Sequence, residues 1–216
     1  MKVINLSEGN SLLNTFMKEI RSRQIQSDPL RFRRNLERIG EVTAYELSKA
    51  LDYQQQTVTT PLAEAVVSVP ADRLVLATIL RAGLPFHQGF LNYMDRAENA
   101  FVSAYRQYTS ETDFEIHTEY IASPALDGKT LVITDPMLAT GSSMHTAYDA
   151  LLAKGSPAKV YLASVIATPK AIGYLQTVMP ANVVLYTAAV DPVLNEHKYI
   201  VPGLGDAGDL AFGEKL

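Results

Sequence analysis

The segment 130–143, with the sequence TLVITDPMLATGSS, combines an apolar strand, an acid and a turn rich in small and hydroxyl residues. Residues 131–133 form the apolar, β-branched run, and Asp135 follows it. Backbone N–H groups and hydroxyls of residues 139–143 can converge at the N-terminus of the next helical pattern, where the helix dipole favours an anion. The carboxylate of Asp135 can accept hydrogen bonds from a sugar diol. The segment therefore predicts a ligand that carries phosphate beside ribose.

Two further segments have residues suited to recognising a diphosphate and a flat ring. After the apolar run 74–80, Arg81-Ala82-Gly83 offers a guanidinium that could take two diphosphate oxygens, and small residues that let backbone amides approach. Residues 199–209, YIVPGLGDAGD, place glycines around Asp206, so the chain can fold closely over a base and offer backbone groups to it. Each segment alone would more often be a plain turn without a ligand.

Together the three segments resemble the motifs of the uracil phosphoribosyltransferases, within the type I phosphoribosyltransferase superfamily. Residues 130–143 are similar to the phosphoribosyl diphosphate (PRPP) motif, with Pro136 in the place of a second acid, as in the D-P-M-L-A-T-G form of the uracil enzymes. ILRAGL at 79–84 is similar to the pyrophosphate loop, and residues 199–209 are similar to the uracil-binding signature. The resemblance implies conversion of uracil and PRPP into UMP and diphosphate.

The resemblance also implies roles for individual residues. It assigns catalysis to Arg81, Asp135 and Asp206. It assigns uracil binding to Ile200, Gly205, Asp206 and Ala207. PRPP binding falls to a larger set that spans all the motifs and one hairpin: Arg81, Arg106, Asp135, Pro136, Met137, Leu138, Ala139, Thr140, Gly141, Ser142, Ser143 and Asp206. Without the resemblance, Arg106 would be a solvated hairpin arginine, and Asp135 could simply cap the next turn.

The chain departs from the family pattern at three positions. Pro85 and Ser142 stand where relatives usually have glycine, and Leu210 stands where they usually have arginine. Ser142 is tolerable only if its position does not need a positive φ, and Pro85 predicts a stiffer pyrophosphate loop, in which the family suggests an unusual peptide bond. Mg²⁺ is expected to arrive bound to PRPP, since no dense carboxylate cluster is visible, and no side chain stands out as a base for uracil N1.

The elements that must position these motifs alternate between strand and helix. Strands are predicted at 74–80, 132–134, 160–166 and 183–186, and helices at 86–93, 145–152 and 170–178. This pattern is typical of the α/β class, with a mainly parallel sheet flanked by helices, as in the type I phosphoribosyltransferase fold. Ligands of such sheets bind beyond the carboxyl ends of the strands.

The remaining elements are an arm and a hairpin. Asp28-Pro29 predicts the start of a helix that runs to about residue 52, within an N-terminal helical arm. Alternating residues at 101–109 and 114–121 predict a protruding β-hairpin. We expect one domain over residues 1–216, in which 1–70 supply the arm and hood elements and 71–216 form the PRPP- and uracil-binding core.

The composition limits the classes of protein to which the chain can belong. The 216 residues are 47% hydrophobic, enough for a full core, and the net charge of −4 argues against a nucleic-acid or membrane surface. The chain has no cysteine, which excludes disulfides and thiolate metal sites, and no apolar run approaches the roughly 18 residues of a spanning helix. The cytoplasm is the expected compartment. The four histidines lack metal-ligand spacing: His87, His117, His145 and His197.

Two other functions remain open at this point. One is a PRPP-binding, RNA-type regulator of pyrimidine operons, which would need a basic surface. The other is a phosphoribosyltransferase for another base, such as a purine or orotate. The basic stretch 18–38 is foremost a solvated helix face, then a subunit interface or effector site, and last an RNA contact. A homodimer or higher homo-oligomer and a nucleotide effector such as GTP are further expectations.

Overall fold

A computed structural model describes residues 1–108 and 114–215, with side chains described for residues 1–103 and 120–215. Within these ranges the chain forms a short 3₁₀ turn at Leu6–Glu8 and six α-helices. The helices are α1 (Leu13–Arg21), α2 (Pro29–Ser48), α3 (Gly83–Leu91), α4 (Ser142–Leu152), α5 (Pro169–Val178) and α6 (Ala207–Phe212).

Twelve strands lie in the same ranges, and eight of them form the central sheet. The strands are β1 (Lys2–Asn5), β2 (Tyr53–Thr59), β3 (Glu64–Pro70), β4 (Leu74–Leu80), β5 (Glu98–Tyr108), β6 (Phe114–Ala122), β7 (Thr130–Thr134), β8 (Met137–Leu138), β9 (Lys159–Ala167), β10 (Val184–Val190), β11 (Val193–Leu194) and β12 (Ile200–Val201). The central order is β1-β10-β9-β7-β4-β5-β6, and β8 pairs with β9. Only the β5–β6 pair of this sheet is antiparallel in the described ranges, so the predicted, mainly parallel α/β fold is confirmed.

The sheet is buried on both faces, which explains the continuous apolar runs of its central strands. Leu76 of β4 faces a core shared with α1, α2, α3 and α6. Its neighbours Val75 and Ala77 face the opposite core, shared with α4 and α5. Because strand side chains alternate between faces, one β-strand contributes to both cores.

Helix α2 begins where the sequence predicts and ends earlier. Asp28 caps it, since its Oδ1 accepts hydrogen bonds from the N–H groups of Leu30 and Arg31 at 2.9 and 3.1 Å. The last helical residue is Ser48 instead of residue 52. The following N–H groups bond three residues back, with Leu51 N to Ser48 O at 3.1 Å, so the chain tightens into a turn that leads to β2.

The predicted hairpin is formed by β5 and β6, and its turn at 109–113 lies outside the described residues. Strand β5 begins at Glu98, three residues before the predicted start, because its first residues pair with β4 in parallel. Pairing with β4 ends at Ser103, and from there the hairpin continues beyond the sheet.

The N-terminal arm contains two features that the sequence does not predict. Strand β1 pairs in parallel with β10 at one edge of the sheet. Strands β2 and β3 form a separate antiparallel hairpin, and every residue of β2 is exposed. Without a buried face, the sequence YQQQTVT has no apolar alternation that could reveal a strand. None of the described helices is long and apolar enough to span a membrane.

Candidate active site

A cavity of about 160 Å³ lies at the carboxyl ends of β4 and β7. All three sequence motifs contribute to it, as the topology of a parallel sheet predicts. Its lining comes from four short segments and the C-terminal tail: Ile79, Leu80, Arg81, Ala82, Asp135, Met137, Ala139, Ser143, Lys198, Tyr199, Ile200, Gly205, Asp206, Ala207, Gly208 and Lys215.

The loop between β7 and α4 is fastened to the neighbouring strand β9. The carbonyl of Pro136 accepts hydrogen bonds from the N–H groups of Val165 and Ile166 at 3.2 and 2.9 Å. Thr168 Oγ1 donates to the carbonyl of Ala139 at 2.8 Å. The backbone of this loop is therefore fixed by the sheet, as a phosphate-binding loop requires.

The turn into α4 depends on Gly141, whose φ is 82°. Ser142 is the first residue of α4 and does not have a positive φ, so the departure from glycine there is compatible with the loop. Four of the predicted loop residues line the cavity: Asp135, Met137, Ala139 and Ser143. The other five do not: Pro136, Leu138, Thr140, Gly141 and Ser142.

Asp135 is buried at the end of β7, with 8% of its surface exposed. Its Oδ1 accepts a long hydrogen bond of 3.3 Å from the N–H of Met137, so it does cap the following turn. It also lines the cavity. The two expectations for this residue, a turn cap and a ligand contact, are thus compatible.

The pyrophosphate loop connects β4 to α3 through closely packed small residues. A Cβ on Gly83 would lie 2.1 Å from Thr78 Oγ1, so only glycine fits there. The peptide bond between Leu80 and Arg81 is cis. Pro85 is the third residue of α3, in the first turn, where an N–H has no partner within the helix. The proline is therefore compatible with the helix.

Arg81 is bonded to the C-terminal segment. Its Nη2 donates to Asp209 Oδ1 at 3.3 Å and to the carbonyl of Gly213 at 3.1 Å, and the side chain is 38% exposed. Its Nε is buried and has no hydrogen-bond partner among the described residues. Arg106 pairs with Ile116 in the backbone register of β5 and β6, but its side chain lies outside the described residues.

The base loop, which belongs to the uracil signature 199–209, ends at the capped N-terminus of α6. Asp206 Oδ1 accepts from the N–H groups of Gly208 and Asp209 at 2.8 and 3.0 Å, which makes Asp206 the N-cap. Ala207 is therefore the first helical residue, and its N–H has no partner within the helix. Gly205, with a φ of 97°, carries the chain over the cavity. Gly205, Asp206, Ala207 and Gly208 of this loop thus line the cavity.

A partly buried ion pair that the sequence does not reveal supports the segment at Gly203. Arg21 of α1 makes two hydrogen bonds to Asp191, at 2.7 and 2.8 Å. The same two side chains hold Gly203 on both sides, since Gly203 N donates to Asp191 at 2.8 Å and its carbonyl accepts from Arg21 at 3.0 Å. Leu210 is partly buried and packs against the core that α1–α3 share, so it makes an apolar contact at this position.

Two lining residues lie outside the three predicted motifs: Lys198 and Lys215. Lys198 directly precedes the uracil signature, so its position in the sequence is a signal that could have found it. Lys215 lies in the tail, where neither spacing nor periodicity marks it.

The histidines have no part in the cavity as far as the described side chains extend. His87 is 2% exposed and its Nε2 lies 2.8 Å from Asn99 Oδ1. Burial lowers the pKa of His87, so the ring is neutral near pH 7. The described residues contain no group of three or more His, Cys, Asp or Glu that could hold a metal ion.

The fold and the cavity agree with the class expected from the sequence, the type I phosphoribosyltransferases. The sheet is covered by helices on both faces, and an acid and a fixed small-residue loop lie at the carboxyl end of a central strand. Known proteins that are similar to this chain support the class and identify a family within it. The family model described as uracil phosphoribosyltransferase matches residues 8–214. The chain belongs to the uracil phosphoribosyltransferase family.

Individual relatives agree with this assignment. A uracil phosphoribosyltransferase of Porphyromonas gingivalis is 62% identical over 216 residues, which cover all of both chains. The solved AQ2163 protein from Aquifex aeolicus has a TM-score of 0.87 at 31% identity and covers 98% of each chain. A hypoxanthine phosphoribosyltransferase from Staphylococcus aureus, with a TM-score of 0.50 at 16% identity over 74% of each chain, is similar in fold alone.

Proposed function

We propose that this protein transfers the phosphoribosyl group of PRPP to uracil, giving UMP and diphosphate in pyrimidine salvage. The observation that carries the proposal is that two loops line one cavity. One is the phosphate-type loop, residues 135–143, and the other is the base loop, which belongs to the uracil signature 199–209. The curated relatives with 62% identity over the whole chain bear the name of this activity.

The reaction needs positioning more than covalent chemistry. The N1–C1′ bond forms as the C1′–O bond to diphosphate breaks and the N1 proton is released to water, so the site must hold the base in line with C1′. Positive charge develops on the ribose near Asp135 and Asp206, both of which line the cavity. Negative charge develops on the departing diphosphate, and we assign Arg81 and Arg106 to it. The other proposed PRPP contacts are those of the loop 135–143.

Backbone atoms are the proposed readers of the base. Uracil presents two carbonyl acceptors and one N3–H donor. The N–H of Ala207 suits a uracil carbonyl, since no helical bond uses it, and the carbonyl of Gly205 suits N3–H. Ile200, 5% exposed, supplies an apolar wall. Cytosine has an acceptor at N3, which would face the Gly205 carbonyl, and a donor amino group in place of one uracil carbonyl, so it should not be accepted.

Mg²⁺ is proposed to enter with PRPP. The carboxylates of Asp135 and Asp206 are oxygen donors at the cavity, and Mg²⁺ usually takes one or two carboxylates together with substrate phosphates. When bound, the ion would neutralise charge on the diphosphate.

The test is an assay of purified protein with Mg²⁺, PRPP and a panel of bases. We expect UMP from uracil, and no nucleotide from adenine, hypoxanthine or orotate. Turnover of orotate without turnover of uracil would favour a phosphoribosyltransferase for another base. Tight binding of RNA without any turnover would favour the regulator, which the net charge of −4 argues against.

A homodimer or higher homo-oligomer is proposed from the β2–β3 hairpin. An isolated two-stranded hairpin is marginally stable in water, yet Val66 is 62% exposed and Leu62, at its turn, is 96% exposed. A second copy of the chain would cover these residues. Sedimentation velocity should give at least twice the mass of one chain, and Val66→Asp should lower it, whereas Val66→Thr should not.

A nucleotide effector such as GTP is proposed to bind away from the active site. A cavity of about 840 Å³ lies between the end of α2, the β2–β3 hairpin and the segment that precedes β5. Three half-exposed tyrosines and two exposed arginines line it: Tyr45, Tyr53, Tyr93, Arg73 and Arg96. Rings can stack on a base, and guanidinium groups can bind phosphate. A change of initial rate with added GTP that Arg73→Ala abolishes would support this.

We further propose that residues 1–216 form one domain, with 1–70 as arm and hood elements and 71–216 as the binding core. In support, α1 and α2 share one hydrophobic core with the central strands. A single cooperative unfolding transition is the expected result.

A cytoplasmic location is also proposed. A chain without cysteine needs no oxidising compartment, and cell fractionation would test the location.

A further inference from the structure

Lys198 has a backbone conformation that a side chain disfavours. Its φ is 61°, and it is the only non-glycine residue with a positive φ among the residues that the structure describes. It ends the turn between β11 and β12, where Lys198 N donates to Asn195 O at 3.0 Å and Asn195 N donates to Tyr199 O at 2.9 Å. The left-handed residue after such a hairpin turn is usually glycine. A lysine here therefore carries a conformational cost that glycine would avoid.

The same lysine reaches the active site. It is half-buried and lines the cavity with Asp135, Ser143 and Ile200. Residues of the loop 135–143 and of the uracil signature 199–209 thus line the cavity together with Lys198. An ammonium group in that place suits an anionic oxygen, because a charge-assisted hydrogen bond is about twice as strong as a neutral one.

The other cations of the cavity do not make Lys198 redundant. Arg81 is engaged with Asp209 and the C-terminal segment through Nη2. Lys215 is exposed in the tail. Two carboxylates, Asp135 and Asp206, line the same cavity, so cations there must offset these carboxylates as well as the charge of a multiply charged sugar phosphate.

We propose that Lys198 is a substrate-binding residue whose ammonium contacts a phosphate group of PRPP, and that the left-handed turn directs it into the cavity. The inference deepens the proposed function and rests on the assignment of the cavity to PRPP. Two phosphate sources share this chemistry. One is the diphosphate that leaves, and the other is the 5′-phosphate that UMP retains.

Three substitutions separate charge from backbone conformation. Lys198→Gly removes the ammonium and relaxes the turn, Lys198→Met removes only the ammonium, and Lys198→Arg keeps the charge. Lys154→Met, at an exposed position after α4 and outside the cavity, is the matched control for loss of a lysine. For each variant we would measure KM for PRPP and for uracil, kcat, UMP binding by calorimetry, and Tm.

The expected result is a KM for PRPP raised about tenfold or more in Lys198→Gly and Lys198→Met, with KM for uracil little changed. Lys198→Arg and Lys154→Met should stay within about twofold of the wild type, and the Tm of Lys198→Gly should not fall. Weaker UMP binding by the same factor assigns the contact to the 5′-phosphate, and unchanged UMP binding assigns it to the diphosphate.

A KM for PRPP within twofold of the wild type in both Lys198→Gly and Lys198→Met would overturn the inference, because the lysine would then serve only the turn. That result leaves the proposed function standing as long as the wild type makes UMP. A wild type that makes no UMP would refute the proposed function instead.

Discussion

The substitution Ala207→Pro isolates one backbone N–H of the base loop. Ala207 is the first residue of α6, a position that proline favours, and α2 and α5 each begin with proline. The preceding Asp206 has φ −89° and ψ 110°, an extended conformation that proline accepts in its neighbour. No helical hydrogen bond is lost, because the N–H of a first residue has no partner within the helix. The variant should therefore fold.

The expected loss follows from an unpaired acceptor. If the Ala207 N–H donates to a uracil carbonyl, the proline leaves that buried carbonyl without a partner, which costs roughly 1–3 kcal/mol. Uracil should then bind about five- to 150-fold more weakly. Proline also puts a Cδ where the N–H was, so the loss should not be smaller than this range. PRPP should be affected far less, since its loop is held by β9.

The assay is KM for uracil at saturating PRPP, with calorimetric titration of PRPP alone and a melting curve. Ala207→Gly keeps the N–H and is the matched control; its KM for uracil should stay near that of the wild type. Unchanged uracil affinity in a folded Ala207→Pro variant would remove this amide from the base site. Equal losses for uracil and PRPP would instead indicate a displaced loop.

Three other substitutions test charge, backbone conformation and titration. Arg81→Ala should lower kcat/KM by about ten- to 150-fold with little change in UMP affinity, because UMP lacks the diphosphate; equal losses in both would place Arg81 elsewhere. Gly141→Ala should lower the free energy of unfolding in urea by about 1–2 kcal/mol, because φ is 82°, whereas the control Gly173→Ala, whose Cβ meets nothing within 4 Å, should not. His87 is buried and its pKa is lowered, so below pH about 6.5 the unfolded chain binds a proton that the folded chain does not bind. The free energy of unfolding should therefore fall as the pH falls from 7 to 5. His87→Gln should show a smaller fall between unfolding curves at these two pH values, and an identical fall would contradict the assignment.

The central sheet and its motifs were predictable because their signals are local. The apolar run of β4 is predicted to the residue, since both of its faces are buried and Arg81-Ala82-Gly83 ends it. The phosphate-type loop follows from the order of strand, acid and small residues. Its detail was less predictable: Leu138, for example, is 1% exposed and belongs to the core instead of the cavity.

The missed features depend on contacts that no local pattern encodes. The Arg21–Asp191 pair joins residues 170 positions apart, and its role is visible only where both side chains meet Gly203. The four-residue strand β1 is defined by its partner β10 more than by its own sequence. In the sequence Lys198 resembles an ordinary surface lysine, because the residue type does not determine the backbone φ.

The bonds of Arg81 to Asp209 and Gly213 have an entropic consequence. A free arginine side chain loses roughly 2 kcal/mol of rotamer freedom when it is fixed, and that loss normally weakens ligand binding. Here the Nη2 bonds fix the side chain during folding, while Nη1 makes no hydrogen bond with any described residue. Nη1 is thus held in position before a diphosphate arrives, and the entropy of ordering the side chain is lost during folding instead of during binding.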